Sequence, residues 1–426
     1  MVPVSARLPS LLADPAAGPD RLWLTGGRLF DGTGAAVREA SGVLVEDGRI
    51  AAVGHASDGV PDGATIVDLA GRMLLPGLID AHAHVRVVDR PTPDPGAEPL
   101  SSGADPHFLA ADLREALRRG VTTMRDVGSH GDLVLEARQA MRYGAFRGPR
   151  LLTCGRIVSA TAPGARFFEG MYREADGPDD VRRAVREQLR RGADFIKVMT
   201  TGARSVELED PDPAQLTRDE IATLVEEAHR QGYRVAAHAE GIDGTEIAIQ
   251  EGIDTIEHGM YLNQRPDLLE RMAASGQVLV PTLSCFYGVA GLESPAPTWS
   301  PLLVELAHYN LEQADLTLKA ARAAGVRIAA GHDWHPFWNT AIEIRRMVAH
   351  GLTAPEALVA ATAGSAHALG LDAHVGTVAV GKRADLIVLD GDPIERPEVL
   401  GRRENVWLVI QHGAPVAGAA LEREIG

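Results

Sequence analysis

The sequence predicts an α/β protein with a closed (β/α)8 barrel at its centre, and three observations carry that expectation. Short β-rich runs alternate with amphipathic helical stretches through the middle of the chain, the pattern of a parallel sheet. Eight such runs are present, the number a closed barrel requires. At both ends the β-rich runs follow one another with no helix between them.

Met1 to Asp20 lacks a basic start and a sustained apolar stretch and carries Pro3, Pro9, Pro15 and Pro19, so it reads as an extended arm and not as a signal peptide. Leu22 to Leu24, Val43 to Val45 and Ile50 to Val53 are short strand signals. Asp47-Gly48 supplies the tight turn of a hairpin, and this part is expected to be antiparallel. The eight barrel strands are expected near Gly77 to His84, Val121 to Asp126, Arg150 to Val158, Phe195 to Met199, Arg234 to His238, Asp254 to His258, Gln277 to Thr282 and Val326 to Asp333. Helical periodicity lies between them at Asp112 to Arg119, Val181 to Arg191, Arg218 to Arg230 and Leu302 to Ala324. The Pro/Gly-rich stretch Asp89 to Pro106 reads as a long surface loop. Near the end, Ala384 to Leu389 stops at Asp390-Gly391 and Val406 to Ile410 stops at His412-Gly413. Either the two ends form separate small sheets or they meet in one.

A chain of 426 residues with 45% hydrophobic and 23% charged residues can bury a sizeable core, which excludes wholesale disorder. Lys and Arg number 42 against 58 Asp and Glu, so the net charge is 42 − 58 = −16, a field that repels nucleic acid and anionic lipid. No apolar run reaches the ~18 residues of a membrane span; even Ala357 to Ala368 is broken by Thr, Gly, Ser and His. Cys154 and Cys285 stand far apart, which fits buried apolar filler in a reducing cytoplasm better than a disulfide framework.

Side chains at the carboxyl ends of barrel strands converge on one face. The first strand ends Asp80-Ala81-His82-Ala83-His84, and alternation points His82 and His84 the same way. The fourth carries Lys197, the fifth ends at His238, the sixth at Glu257-His258 and the eighth at Gly331-His332-Asp333. One strand-end histidine is more often a hydrogen-bonded core residue than a ligand. Independent accidents, however, have no reason to select five strands of a single barrel mouth. Lys197 sits in the apolar run Phe195-Ile196-Lys197-Val198-Met199. An ammonium cannot ligate a cation, but burial favours the neutral amine, which can take up carbon dioxide to become a carbamate able to bridge two cations. The competing reading is a buried ion pair with Asp333 or Glu257.

The run Leu75-Pro76-Gly77-Leu78-Ile79-Asp80-Ala81-His82-Ala83-His84, followed by Lys197, His238, His258 and Asp333, resembles the amidohydrolase superfamily in its two-metal form. Thr122 to Gly128, Ala237 to Gly241, Ile256 to Gly259, Pro281 to Leu283 and Gly376 to Leu386 resemble it as well, most closely the imidazolonepropionase-related group with Xaa-Pro dipeptidases and ochratoxin-type amidases. The resemblance implies a (β/α)8 TIM barrel with a small β-sandwich domain built from both chain ends. The parts would be an arm over 1–20, sandwich over 21–75, barrel over 76–371 and sandwich again over 372–426. It also implies that His82, His84 and Asp333 hold one divalent cation, that His238 and His258 hold a second, and that carboxylated Lys197 bridges them. Imidazole and carboxylate donors without thiolate suit zinc, and such a pair generates hydroxide from water near neutral pH. The expected reaction is hydrolysis of a peptide-like amide in a small molecule such as an N-acyl amino acid or dipeptide, with Asp333 moving the proton to the leaving amine. Relatives are often homo-oligomers. Alternatives are a cyclic-amide or imidazolone-type hydrolase, a deaminase, and a relative that has lost its metals. Lys197 and the lack of a His-x-x-Glu after the fifth strand oppose the deaminase, and the complete ligand set opposes the last.

Substrate contacts are less constrained. After the third strand, Ser159 to Arg166 replaces a histidine-bearing segment of relatives. Arg166 or Arg204 could fork a substrate carboxylate or form a surface ion pair. Tyr261 could polarise a carbonyl or pack. Trp334, Phe337 and Trp338 suggest an aromatic wall or a loop brace, and His332 and His335 either join outer hydrogen bonds or are solvated.

Overall fold

A computed structural model of the chain describes residues 19–85, 102–168, 170–206, 208–292, 300–334 and 339–422. Most of the expected arm and of the loop Asp89 to Pro106 lies outside these residues, as do His335, Phe337 and Trp338.

Five strands open the chain: β1 (Arg21–Leu29), β2 (Arg38–Glu46), β3 (Arg49–His55), β4 (Thr65–Asp68) and β5 (Met73–Pro76). Three close it: β16 (Leu386–Leu389), β17 (Val406–Gln411) and β18 (Ala414–Ala417). Together they form one eight-stranded sheet in the order β18-β17-β16-β5-β1-β2-β3, with β4 beside β1. The join is antiparallel, Leu74 of β5 opposite Val388 of β16. The runs expected to be antiparallel are so, β1 with β2 and β2 with β3, and β1 also runs parallel to β4 and β5, which the sequence did not signal. Hairpin turns specify which neighbours in sequence pair, and they are silent about a third strand arriving from further along the chain.

Alternation along these strands explains why both faces are covered. Leu74, Val388, Leu408 and Ile410 enter a core shared with Leu22, Leu24 and Val43. Leu75, Ile387, Leu389 and Val409 point the opposite way, into a core shared with Leu113 and Leu117 of the helix Asp105–Arg118.

The middle of the chain supplies β6 (Leu78–Ala83), β7 (Val121–Asp126), β8 (Arg150–Thr153), β9 (Ile157–Ser159), β10 (Tyr172–Glu174), β11 (Ile196–Met199), β12 (Val235–Ala239), β13 (Thr255–His258), β14 (Val278–Val280) and β15 (Arg327–Ile328). Among the described residues they pair as two parallel sheets, β6-β7-β8 and β10-β9-β11-β12-β13-β14-β15. Hydrogen bonds tie the edges of the two sheets together. Ala81 N–H donates to Ala330 O at 2.8 Å and Asp333 N–H to His82 O at 3.0 Å on one side, and Asp194 N–H to Thr153 O at 2.8 Å on the other. The run Arg150 to Val158, expected as one strand, is two. Gly155, at φ +69°, turns the chain between them, so Arg150–Thr153 pairs with β7 and Ile157–Ser159 with β10 and β11. The last expected strand shortens to Arg327–Ile328, which leaves 329–334 outside any strand but bonded to β6 through Ala330 and Asp333.

Helices between the strands follow local rules. Pro178–Arg191 starts on Pro with Asp179 and Asp180 in its first turn, ends on Arg190 and Arg191 before left-handed Gly192, and buries Val181, Ala184, Val185 and Gln188 along one face. Arg218–Arg230 begins with a capping box of Thr217 and Glu220. The buried carboxylate of Glu227 locks these two helices together, accepting hydrogen bonds from Arg186 at 2.9 Å, Arg230 at 2.7 Å and Gln231 at 2.6 Å. No helix among the described residues is long and apolar enough to cross a membrane.

Hydrogen bonding from Arg186, with help from Arg230, holds the Glu227 carboxyl down to about 2, below its ordinary range. A depressed carboxyl contributes stability that is present above about pH 4.5 and is lost as pH falls toward 2. Glu227→Gln is therefore expected to lower unfolding stability at pH 7 by about 1 kcal/mol, the arginine partners being solvent-screened. In thermal melts against pH the gap between the two proteins should shrink below about pH 4.5 and close near pH 2; a gap unchanged by pH would contradict the ion-pair lock.

Candidate metal centre

The parallel register brings the strand-end residues to one level. Met199 stands opposite His238 and Ala239 opposite His258, while Asp333 is hydrogen-bonded to the backbone of His82. Two groups of possible metal ligands result: His82, His84 and Asp333, and His238, Glu240 and His258, with the donor atoms of each group within 4.8 Å of one another. The groups adjoin, the rings of His82 and His258 being 5.3 Å apart.

Each histidine spends one ring nitrogen on the protein and turns the other inward. His82 Nδ1 meets Glu257 Oε2 at 2.7 Å, and its Nε2 lies 3.5 Å from Asp333 Oδ1. His84 Nδ1 donates to Gly128 O at 2.5 Å, and its Nε2 lies 3.4 Å from the same Asp333 oxygen. In His258, Nδ1 bonds Thr282 Oγ1 at 2.6 Å, and Nε2 faces His238 Nδ1 at 2.9 Å. The remaining nitrogen of His238, Nε2, reaches Gly202 O at 3.3 Å and lies 3.9 Å from Glu240. This is the arrangement of metal-ligating imidazoles, whose outer nitrogen is fixed by a hydrogen bond so that the inner lone pair is aimed.

Electrostatics keep three of the four imidazoles in ligating form. Burial pushes His84 down to about 4 and His258 to about 3, and lowers His238 well below its usual value, so these rings are neutral near pH 7. Burial opposes charge on His82 too, but Asp333 outweighs it and its pKa is raised. The Asp333 carboxyl is held far below the carboxylate range, the burial penalty overcome by His82, His84 and His258. Lys197 is 1% exposed, and burial lowers its amine to about 8. Its charge is felt by all four histidines. Among the described residues its Nζ has no hydrogen-bond partner.

Strained backbone marks the same face. His258, Thr282 and Asp333, at the ends of β13, β14 and the segment after β15, have φ of 66°, 46° and 45°, and Tyr261 has 65°. The left-handed region is uncommon for any residue with a Cβ and an outlier for β-branched Thr. Buried Glu343 pins this turn: it accepts from Leu283 N–H and Ser284 N–H, both at 2.8 Å, and from Ser284 Oγ at 2.6 Å.

The six ligand residues expected from sequence are brought together. The proposed substrate contacts are placed differently from one another. Arg204 is mostly buried, with its guanidinium paired to Asp212, 3.9 Å from Glu240 and 5.1 Å above the Tyr261 ring. Tyr261 packs against the core and lies 6.3 Å from the ring of Tyr309. Trp334 lies flat over Gly288, where a Cβ would come within 1.9 Å of the indole, beside Val289, Leu303 and Cys285. Arg166 is exposed on the short helix Gly164–Phe167. His332 is buried, its backbone N–H on Asp80 Oδ1 at 3.2 Å. Sequence reasoning gave no role to Glu240, Arg125, Thr282 or Gly128. Of these only Glu240 was signalled, standing two residues after His238 and hence on the same face of the strand.

Thr282→Gly is expected to hold or raise the melting temperature, because it relieves left-handed strain of about 1–3 kcal/mol. The same change removes the hydroxyl from His258, and with zinc as the probe metal the affinity in a competition titration should fall about 10- to 100-fold, whereas Thr282→Ser retains it. A glycine variant that binds zinc as tightly as the parent would remove this hydroxyl from the site.

Comparison with known proteins agrees with this geometry. Residues 73–416 match the Amidohydrolase family. The chain is 32% identical over 428 residues to the ochratoxinase of Aspergillus niger, covering 93% of this chain and 86% of that protein. It is 27% identical over 434 residues to the imidazolonepropionase of Maricaulis maris, covering 91% and 94%. A solved Xaa-Pro dipeptidase with methionine bound in its active site superposes with a TM-score of 0.83 at 28% identity, covering 93% of this chain and all of that one. With this match over most of its length, and with histidines, an aspartate and a buried lysine gathered where its strands end, the chain belongs to the amidohydrolase family and is a hydrolase of carbon–nitrogen bonds.

Proposed function

We propose that the protein hydrolyses the amide bond of a small substrate, such as an N-acyl amino acid or a dipeptide, at two divalent cations, zinc by the chemistry of the donors. His82, His84 and Asp333 would hold one, His238 and His258 the other, and Lys197, carboxylated on Nζ, would bridge them. The observation that carries this reading is the state of Lys197. Its amine is buried without a hydrogen-bond partner among the described residues, while the carboxylate it would otherwise pair with, Glu257, is already occupied by Arg125, Thr255 and His82. A buried unpaired ammonium is costly. Reaction of the neutral amine with carbon dioxide forms an N–C bond, releases one proton and yields an anion with two oxygen donors.

Bound there, divalent cations supply Lewis acidity, polarising an amide carbonyl and lowering the pKa of water to about 7. The protein's own part is proton movement and orientation. Asp333, ionised and in contact with His82 and His84, accepts the proton of the attacking water and delivers it to the leaving nitrogen. Arg204, mostly buried over the Tyr261 ring and paired with Asp212, would take a substrate carboxylate in exchange for that partner; Trp334 offers apolar surface, and Arg166 a second, exposed guanidinium. Closure of the two parallel sheets into one (β/α)8 barrel over 76–371, counting β8 and β9 as the two halves of its third strand and leaving β10 outside it, belongs to the same reading, with the shared sheet of the two ends as a small companion domain, and is supported by the hydrogen bonds between the sheets.

Zinc-loaded protein tested on N-acyl amino acids, dipeptides and cyclic amides is expected to release amine from at least one class; turnover confined to esters or lactones would contradict amide cleavage. Lys197→Ala is expected to retain fewer than two zinc ions per chain by elemental analysis, and two retained ions would remove the bridge. Asp333→Asn should keep most of its metal while turnover falls by about 10³ or more, the scale of losing a proton-transfer group together with a charge. Near-normal turnover would eliminate the proton transfer assigned to Asp333.

A further inference from the structure

Arg125 touches neither group of possible ligands, yet it is joined to both. Its side chain is buried at the end of β7, stacked 5.2 Å from the Phe195 ring. Its Nε donates to Ala81 O at 2.5 Å, the carbonyl immediately before His82. Nη2 donates to Glu257 Oε1 at 2.8 Å, and Nη1 to Thr255 Oγ1 at 3.2 Å; that threonine hydroxyl in turn donates to the same Oε1. Glu257 Oε2 is left with one partner, His82 Nδ1 at 2.7 Å. Glu257 precedes His258 on β13, so this carboxylate sits beside a residue of one group while bonding a residue of the other.

We propose that Arg125 is a positioning residue for the metal centre, acting through Glu257 to decide which nitrogen of His82 carries the proton. A carboxylate only accepts hydrogen bonds. Arg125 and Thr255 hold Glu257 through Oε1, and the arginine favours its ionised form; Oε2 then presents only lone pairs, so the proton of neutral His82 lies on Nδ1 and the Nε2 lone pair faces Asp333. The guanidinium fork also fixes the height of His82 through Ala81, so one planar group sets both the tautomer and the place of the ring. The inference rests on the metal reading above but concerns a proton on the protein itself, which the spectra read without metal at a pH above the raised pKa of His82, where the ring is neutral.

Glu257→Gln separates the alternatives. Arg125 and Thr255 both donate toward Oε1 and would draw the new amide's oxygen to their side. Its NH₂ would then point at His82 Nδ1, forcing the proton onto Nε2 and blocking the lone pair that faces Asp333. In the double variant Arg125→Met/Glu257→Gln the main donor is gone, the amide can turn its oxygen to His82, and the original tautomer returns. Long-range ¹H–¹⁵N correlation spectra of ¹⁵N-histidine-labelled protein report the tautomer, competition titration reports zinc affinity, and thermal melts confirm folding. Expected are an Nε2–H His82 in Glu257→Gln, zinc affinity of the weaker-holding site down about 10- to 100-fold, and recovery of at least part of both in the double variant. Arg125→Lys, which keeps the charge but not the fork, is a second probe, expected to lower zinc affinity with the fold intact. A folded Glu257→Gln protein with His82 still protonated on Nδ1 would overturn the inference, as would wild-type zinc affinity in both single variants. If the parent protein takes up no zinc, the metal reading fails, and the spectra alone then decide whether Arg125 and Glu257 set the tautomer.

Discussion

Each inward-facing imidazole is aimed by a hydrogen bond on its far nitrogen, and the chemistry of the site depends on those bonds. Glu257 holds His82, Gly128 O holds His84, Gly202 O holds His238 and Thr282 holds His258. The partners come from carboxylate, backbone and hydroxyl in turn, so no single residue type delivers the geometry; the common element is placement at the carboxyl ends of neighbouring strands. Burial keeps three of these rings neutral and free to bind a cation, while the negative charge of Asp333 faces the fourth, His82, and favours positive charge there.

Two costs are concentrated on this face. One is backbone strain at His258, Thr282 and Asp333, the other a buried lysine and several buried carboxylates. The carboxylates are offset locally: Glu257 by Arg125, Thr255 and His82, and Glu343 by the amides of Leu283 and Ser284. Among the described residues the Lys197 amine has no hydrogen bond to offset its burial; the carbamate proposed above would remove that cost by changing the group itself. Strain of this kind persists where surrounding structure over-determines it, and here the surroundings are the two sheets and their shared hydrogen bonds.

The cluster of candidate ligands was legible because it obeys local rules. His82 and His84 alternate on one strand, Lys197 interrupts an apolar strand, and His238, His258 and Asp333 stand where strand signals stop. The residues that orient them were not legible, because their pairing is long-range. Arg125 and Glu257 are 132 positions apart, and nothing in Thr-Thr-Met-Arg-Asp names a partner across the fold. Left-handed Thr282 was invisible for a different reason: turn chemistry predicts Gly or Asn at positive φ, and tertiary packing has overridden it. The break at Gly155 and the parallel pairing of β1 with β4 and β5 were missed because a run of β-forming residues specifies a strand but not its neighbours.

A crystal of zinc-loaded protein, measured on both sides of the zinc absorption edge, tests the centre most directly. The account expects two anomalous peaks about 3.5 to 4 Å apart. One should lie within about 2.1 Å of His82 Nε2 and His84 Nε2, the other within the same distance of His238 Nδ1 and His258 Nε2, with extra density on Lys197 Nζ reaching both. A single peak, or a second peak bound through His238 Nε2 and Glu240 beside an unmodified lysine, would contradict it.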